Sequence, residues 1–186
     1  MARRKWLYIL PNLFTRASVL CGCYSTSLSP AGQAAQAPQA LFGAALAILF
    51  GMLLDGLDGR VARMTRTQSA FGMQLDSLAD VITFGAAPAL LVWKWGLHTL
   101  GAVGILLSFL YVACGALRLA RFNVLEMRGA KGASTYFVGL PIPLAAGVLV
   151  SLVLAHNRTY GDAPVPALPV AVLVALLSYL MVSNVR

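Results

Sequence analysis

Acidic side chains are scarce in this chain of 186 residues: Asp55, Asp58, Asp76, Asp80, Glu126 and Asp162 are all there are, against fourteen Lys and Arg. Charged residues of every kind make up 11% of the chain, where a soluble protein carries roughly 25%. So little charge excludes a disordered chain and an ordinary soluble enzyme. Cysteine is also rare. Cys21, Cys23 and Cys114 all lie in apolar stretches, so no paired disulfide framework is implied, and buried inert thiols are expected rather than a Cys-x-Cys metal site. Histidine occurs twice, as His98 and His156, both outside the 55–80 stretch that holds four of the acids.

What the chain has instead is apolar length. Hydrophobic residues make up 59%, and the segments 17–54, 81–93, 95–117, 132–157 and 163–185 contain no Asp, Glu, Lys or Arg. A membrane-spanning helix needs about 20 mostly apolar residues. The first segment is long enough for two, and the Pro30-Ala31-Gly32 to Pro38 stretch reads as the turn between them. The pattern predicts an all-α integral membrane protein, a single transmembrane domain over 1–186. Its six helices are expected near 7–28, 39–58, 72–95, 99–120, 136–156 and 164–184. A membrane β-barrel is excluded by the lack of apolar/polar alternation. The Arg3-Arg4-Lys5 start mimics a signal peptide, but Arg16 interrupts its apolar stretch and Leu20 stands where a cleavage site wants a small residue, so a retained first helix is expected.

The basic residues give the orientation. Arg3, Arg4 and Lys5, then Arg60, Arg63 and Arg66, then Arg118, Arg121, Arg128 and Lys131, and finally Arg186 fall at alternate helix ends, whereas the other ends carry Lys94 and Arg158. By the positive-inside rule both termini are expected in the cytoplasm. The net charge of +8 then reports topology and attraction to anionic membrane lipids, not nucleic-acid binding.

Four of the six acids gather in one stretch. Asp55 and Asp58 are about 60° apart on a helix and Asp76 and Asp80 about 40° apart on the next, so each pair shares a face. If the two helices are antiparallel neighbours, four carboxylates converge at the cytoplasmic end. Each would cost about 2.5–3.5 kcal/mol deep in a membrane helix, and their mutual repulsion adds to that. Two divalent cations would balance them, and an all-oxygen donor set suits Mg²⁺ or Mn²⁺ better than zinc. Such a pair of ions serves phosphoryl-group transfer. Gly59, Ala62 and Gly72 either let a nucleotide approach the backbone or simply permit close helix packing. Arg63 could meet a diphosphate or anchor a helix end.

The segment 55–80 resembles the CDP-alcohol phosphotransferase pattern D-x2-D-G-x2-A-R-x8-G-x3-D-x3-D, with every specified position met by Asp55, Asp58, Gly59, Ala62, Arg63, Gly72, Asp76 and Asp80. That resemblance implies a six-helix membrane enzyme, usually a homodimer, that cleaves a CDP-linked substrate with the help of metal ions. It implies that the four aspartates hold the metals, that Asp80 is also the general base, and that Gly59, Ala62, Arg63 and Gly72 line the CDP site. Asn12 and Thr15 share a face of the first helix and either reach the nucleotide or satisfy backbone groups near Pro11.

The stretches 75–89, Arg118-Leu-Ala-Arg121-Phe-Asn123, Phe137-Val-Gly-Leu-Pro141-Ile-Pro143 and Leu10-Pro-Asn12-Leu-Phe-Thr15 are similar to the phosphatidylserine-forming branch of that family. Arg16 and Ser18 depart from its pattern, and related chains run on past Val185, so a trimmed C-terminus is expected. The implied substrates are CDP-diacylglycerol and L-serine, at a site facing the cytoplasm. Arg118 and Arg121 either bind the serine carboxylate or anchor their helix, and Asn123 beside them reads as a helix terminator. Two alternatives are the same chemistry on glycerol 3-phosphate, choline or an inositol phosphate, and a cation transporter. The transporter would spread its acids across membrane depth, which this chain does not do.

Overall fold

A computed structural model describes residues 20, 22–24, 37–65, 70–127, 139–161 and 163–183, with the backbone alone over 37–38, 58–65, 70–71 and 126–127. In chain order the elements are α1 (Ala37–Thr65), α2 (Ala70–Asp80), a π-helical turn (Val81–Ala86), α3 (Ala87–Trp95), a 3₁₀ turn (Leu97–Leu100), α4 (Ala102–Met127), α5 (Ile142–Tyr160) and α6 (Ala167–Val182). No strand occurs among the described residues, so the all-α expectation holds for them.

Four segments are long and apolar enough to cross a bilayer: Gln39–Leu57, Gly72–Trp95, Ala102–Leu125 and Ile142–Tyr160; α6 is shorter and also apolar. Between 22% and 50% of each spanning window is buried inside the protein, so half or more of each is left outside the core. Leu46, Phe50 and Leu53 on α1 and Leu106, Phe109 and Leu117 on α4 form part of this outer surface. Apolar faces of this extent are stable against lipid and not against water. The chain is a membrane protein. The expected first helix, 7–28, lies outside the described residues except for Leu20 and Gly22–Tyr24, which are helical.

Three boundaries differ from expectation. The second helix was expected to end at 58 and the fourth at 120, but α1 continues to Thr65 and α4 to Met127. Charge ends a membrane crossing, not a helix: Arg and Lys are good helix formers and are favoured near a helix C-terminus. The fifth helix begins at Ile142 rather than near 136. Pro141, with φ −59° and ψ 138°, is its N-cap, and residue 140 before it is biased away from helical geometry.

Small residues set the packing. α1 packs along α5 and α4 along α6. Ala44, Ala45, Ala145 and Ala146 are fully buried in the core, and a Cβ on Gly147 would stand 3.3 Å from Met52 Cε. In lipid, close approach of this kind replaces the hydrophobic drive that water supplies to soluble bundles. The start of α5 is tied to the end of α6: Leu140 N–H donates to the Leu180 carbonyl at 3.0 Å. Gly139, at φ +80°, passes so close that a Cβ would lie 2.5 Å from the Met181 carbonyl oxygen.

Candidate active site

The two acid-bearing helices carry their carboxylates at the spacings read from the sequence. α1 runs unbroken through Asp55 and Asp58, and Asp76 and Asp80 occupy the last turns of α2. Asp55, Asp76, Asp80 and Gly72 are half-buried, and Asp80 Oδ1 is shielded from solvent. α1 packs against the π turn and α3, the direct continuation of the Asp76/Asp80 helix. Among the described residues, no three of His, Cys, Asp and Glu gather into a metal-ligating group. The side chains of Asp58, Gly59, Ala62 and Arg63 lie outside the described residues, as do Asn12 and Thr15 altogether.

α4 supplies the groups that meet the Asp76/Asp80 helix. Arg118, half-buried, interacts electrostatically with the Asp80 carboxylate, and its Nε is buried without a hydrogen bond among the described residues. Asn123 Nδ2 donates to Ser77 Oγ at 2.8 Å, and Ser77 Oγ in turn donates to the Met73 carbonyl. Tyr111 Oη, buried, donates to the Phe84 carbonyl at 3.2 Å. Going up one helix through Ser77 and Phe84 means going down the other through Asn123 and Tyr111, two hydrogen-bonded rungs between antiparallel neighbours, with Asp80 and Arg118 at the intervening positions. The reading of Asn123 as a helix terminator is therefore corrected. It sits four residues before the end of α4, is 6% exposed, and bonds across to the helix of the aspartates.

The two arginines part company. Arg118 is half-buried, whereas Arg121 is exposed. The histidines stay away from Asp55, Asp58, Asp76 and Asp80. His156 stacks edge-on against Trp95 with ring centroids 5.3 Å apart, and Trp95 lies 15 residues beyond Asp80 on the continuous helix, about 20 Å at 1.5 Å per residue.

Taken together, one carboxylate-bearing helix pair, a cationic side chain reaching in from α4 and an apolar exterior suit chemistry on a phosphorylated substrate at the membrane. A family model for CDP-alcohol phosphatidyltransferase matches residues 8–182. The chain belongs to the CDP-alcohol phosphatidyltransferase family.

Similar members of this family include a CDP-diacylglycerol–serine O-phosphatidyltransferase of Helicobacter pylori, 40% identical over 184 residues, which cover 97% of this chain and 72% of that one. Another of the same name, from Bacillus subtilis, is 40% identical over 146 residues, 78% of this chain and 75% of its own. One from Mycobacterium bovis is 38% identical over 163 residues, covering 84% of this chain and 52% of that longer protein. Within this family member, the sequence did not reveal the π turn directly after Asp80. Its signal was present in Pro88, which has no N–H to offer the Phe84 carbonyl four residues earlier. Wide helical turns of this kind are frequent at functional sites.

Proposed function

We propose that this protein transfers the phosphatidyl group of CDP-diacylglycerol to the hydroxyl of L-serine, giving phosphatidylserine and CMP. The observation that carries the reading is 40% identity across 97% of the chain to a relative named for that reaction. The juxtaposition of Arg118 with Asp80 supports it. In the proposed step Asp80 takes the serine hydroxyl proton, the serine oxygen forms a bond to the phosphorus bearing diacylglycerol, and the bond from that phosphorus to the CMP oxygen breaks. Arg118 holds the serine carboxylate beside the base, and Arg63 pairs with the departing phosphate. Arg121, exposed on α4, serves the acceptor less directly than Arg118.

The donor chemistry fits Mg²⁺ or Mn²⁺: Asp55, Asp58, Asp76 and Asp80 offer only carboxylate oxygens, and both histidines lie away from them. These four residues would hold two such ions. Bound there, the ions supply positive charge against the diphosphate and the leaving CMP. Gly59, Ala62 and Gly72 leave room for the nucleotide, with Asn12 and Thr15 approaching from the first helix. The protein works in this reading as a homodimer of six-span subunits in the cell membrane, both termini and the site on the cytoplasmic side.

The test supplies the purified protein in lipid with CDP-diacylglycerol, Mg²⁺ or Mn²⁺ and a panel of acceptors, measuring CMP and lipid product. Serine-dependent CMP release that chelation abolishes is expected. Release with glycerol 3-phosphate, choline or an inositol phosphate and none with serine would replace the acceptor assignment. Full activity after exhaustive chelation would remove the metals from it.

A further inference from the structure

The helix that carries Asp76 and Asp80 does not continue regularly into the membrane. Its next six residues, Val81–Ala86, form a π turn, and the Ala87 N–H bonds the Ile82 carbonyl, five residues back. A π turn contains one residue more than an α turn, which advances everything before it by about 100° and 1.5 Å relative to everything after. Pro88 is buried and cannot donate to the Phe84 carbonyl. That carbonyl would be left in a dry interior, where an unmet polar group is costly, but Tyr111 Oη meets it at 3.2 Å. Tyr111 is fully buried. It lies seven residues, two turns, before Arg118, on the same stripe of α4. Gly22 closes the other side, where a Cβ would stand 3.1 Å from Thr83 Cα.

We propose that Tyr111 and Pro88 together hold the π turn open, and that this turn sets the rotation of Asp76 and Asp80 relative to α4; Tyr111 is thus a positioning residue for the transfer reaction. Downstream, α3 is locked by buried Ala87, Ala89, Leu91 and Val92, so a collapse of the turn to regular α-helix would swing the aspartates and not the core. The inference rests on the function proposed above for its catalytic consequence, but not for its geometry.

Three variants in lipid, Tyr111→Phe, Pro88→Ala and both together, separate positioning from stability. Tyr111→Phe removes one hydrogen bond and keeps the ring. It is expected to lower Tm and to lower kcat by about 10- to 100-fold, as a misplacement near 1 Å can, with KM for CDP-diacylglycerol within about twofold. Adding Pro88→Ala restores an N–H for Phe84, so the double variant should recover part of the Tm lost in Tyr111→Phe, the rotation of Ser77 away from Asn123 holding back the rest, and leave kcat low. A nitroxide at exposed Leu78 should lose oxygen accessibility in the double variant as the helix rotates. Recovery of kcat together with Tm would overturn the proposal by making Tyr111 a stability residue alone. Unchanged accessibility at position 78 would overturn it through the geometry. Wild-type protein that releases CMP with no acceptor refutes the function instead, and the nitroxide measurement then decides the rotation by itself.

Discussion

Ser77 and Asn123 should behave asymmetrically when truncated, and the size of the asymmetry follows from who donates. Asn123 is 6% exposed and donates its amide to Ser77 Oγ at 2.8 Å. Ser77 spends its own proton on the Met73 carbonyl at 3.1 Å, a bond within its helix. Asn123→Ala removes the donor and leaves Ser77 an oxygen still engaged through its hydrogen. The expected cost is that of one interhelical bond in lipid, about 0.6 kcal/mol on average and at most about 1.7. Ser77→Ala instead strands a buried amide donor, which costs about 1–3 kcal/mol. The double variant has nothing left to strand and should be no less stable than Ser77→Ala alone, giving a coupling of about 1 kcal/mol. The assay is reversible unfolding in mixed micelles, completed as a double-mutant cycle, with serine-dependent CMP release measured in parallel. Because Ser77 lies between Asp76 and Asp80, turnover should fall in both single variants. Strict additivity, within about 0.3 kcal/mol, would refute the contact and with it the tie between α2 and α4.

Three other outcomes follow. Asp80→Asn should reduce turnover by about 10²- to 10⁴-fold, the range of a lost general base; Asp76→Asn, which removes a carboxylate from the proposed metal-holding set, should nearly abolish turnover while keeping Tm at or above wild type because it removes a charge that is costly in a bilayer; wild-type rates in either would sink the site. Arg118→Ala should raise the apparent KM for serine more than that for CDP-diacylglycerol, and Arg121→Ala should do so less, since Arg118 is half-buried on α4 and Arg121 exposed; equal steady-state effects of the two would contradict that division. Gly139→Ala should lower stability by at least about 1–3 kcal/mol, the range for strained backbone, because its φ is +80° and its Cβ would meet the Met181 carbonyl; an unchanged Tm would refute the close passage.

Much of this was legible from the chain because burial in lipid is a coarse filter. Charge-free segments pointed to the four spanning-length helices among the described residues, and the 3- and 4-residue spacings of the aspartates survived as helix faces because nothing in α1 or α2 breaks the helix around them. Helix ends were less legible. Arg60 and Arg63 looked like a boundary, yet a helix can carry its charges beyond the bilayer, as α1 does to Thr65. The division of labour between Arg118 and Arg121 was hidden for another reason: three residues of spacing place them near one another on α4, but only the position of α2 decides which one meets a carboxylate. Asn123 was misread because its side chain acts across 46 positions of sequence, a distance no local pattern reports. The π turn escaped because a missing donor at Pro88 is visible in the chain, whereas the hydroxyl that compensates for it belongs to Tyr111, another helix away.

The polar rungs between the Asp76/Asp80 helix and α4 also constrain how the protein is made. Synthesis delivers the segment Gly72–Trp95, of mean hydropathy 1.5, before Ala102–Leu125, of mean hydropathy 2.0, and Tyr111, Arg118 and Asn123 all arrive with the later one. Until then the aspartate-bearing span has no partner from α4 for its carboxylate, its serine hydroxyl or its open carbonyl. It is a costly guest in the bilayer by itself, and the two are best inserted as a hairpin. A nascent chain arrested before residue 102 should be held at the translocon or extracted by alkali, and one arrested beyond Met127 should be stably integrated. If the proposed site is right, its geometry and membrane integration draw on the same few contacts, and a mutation that loosens them should register first as a shortage of protein in the membrane.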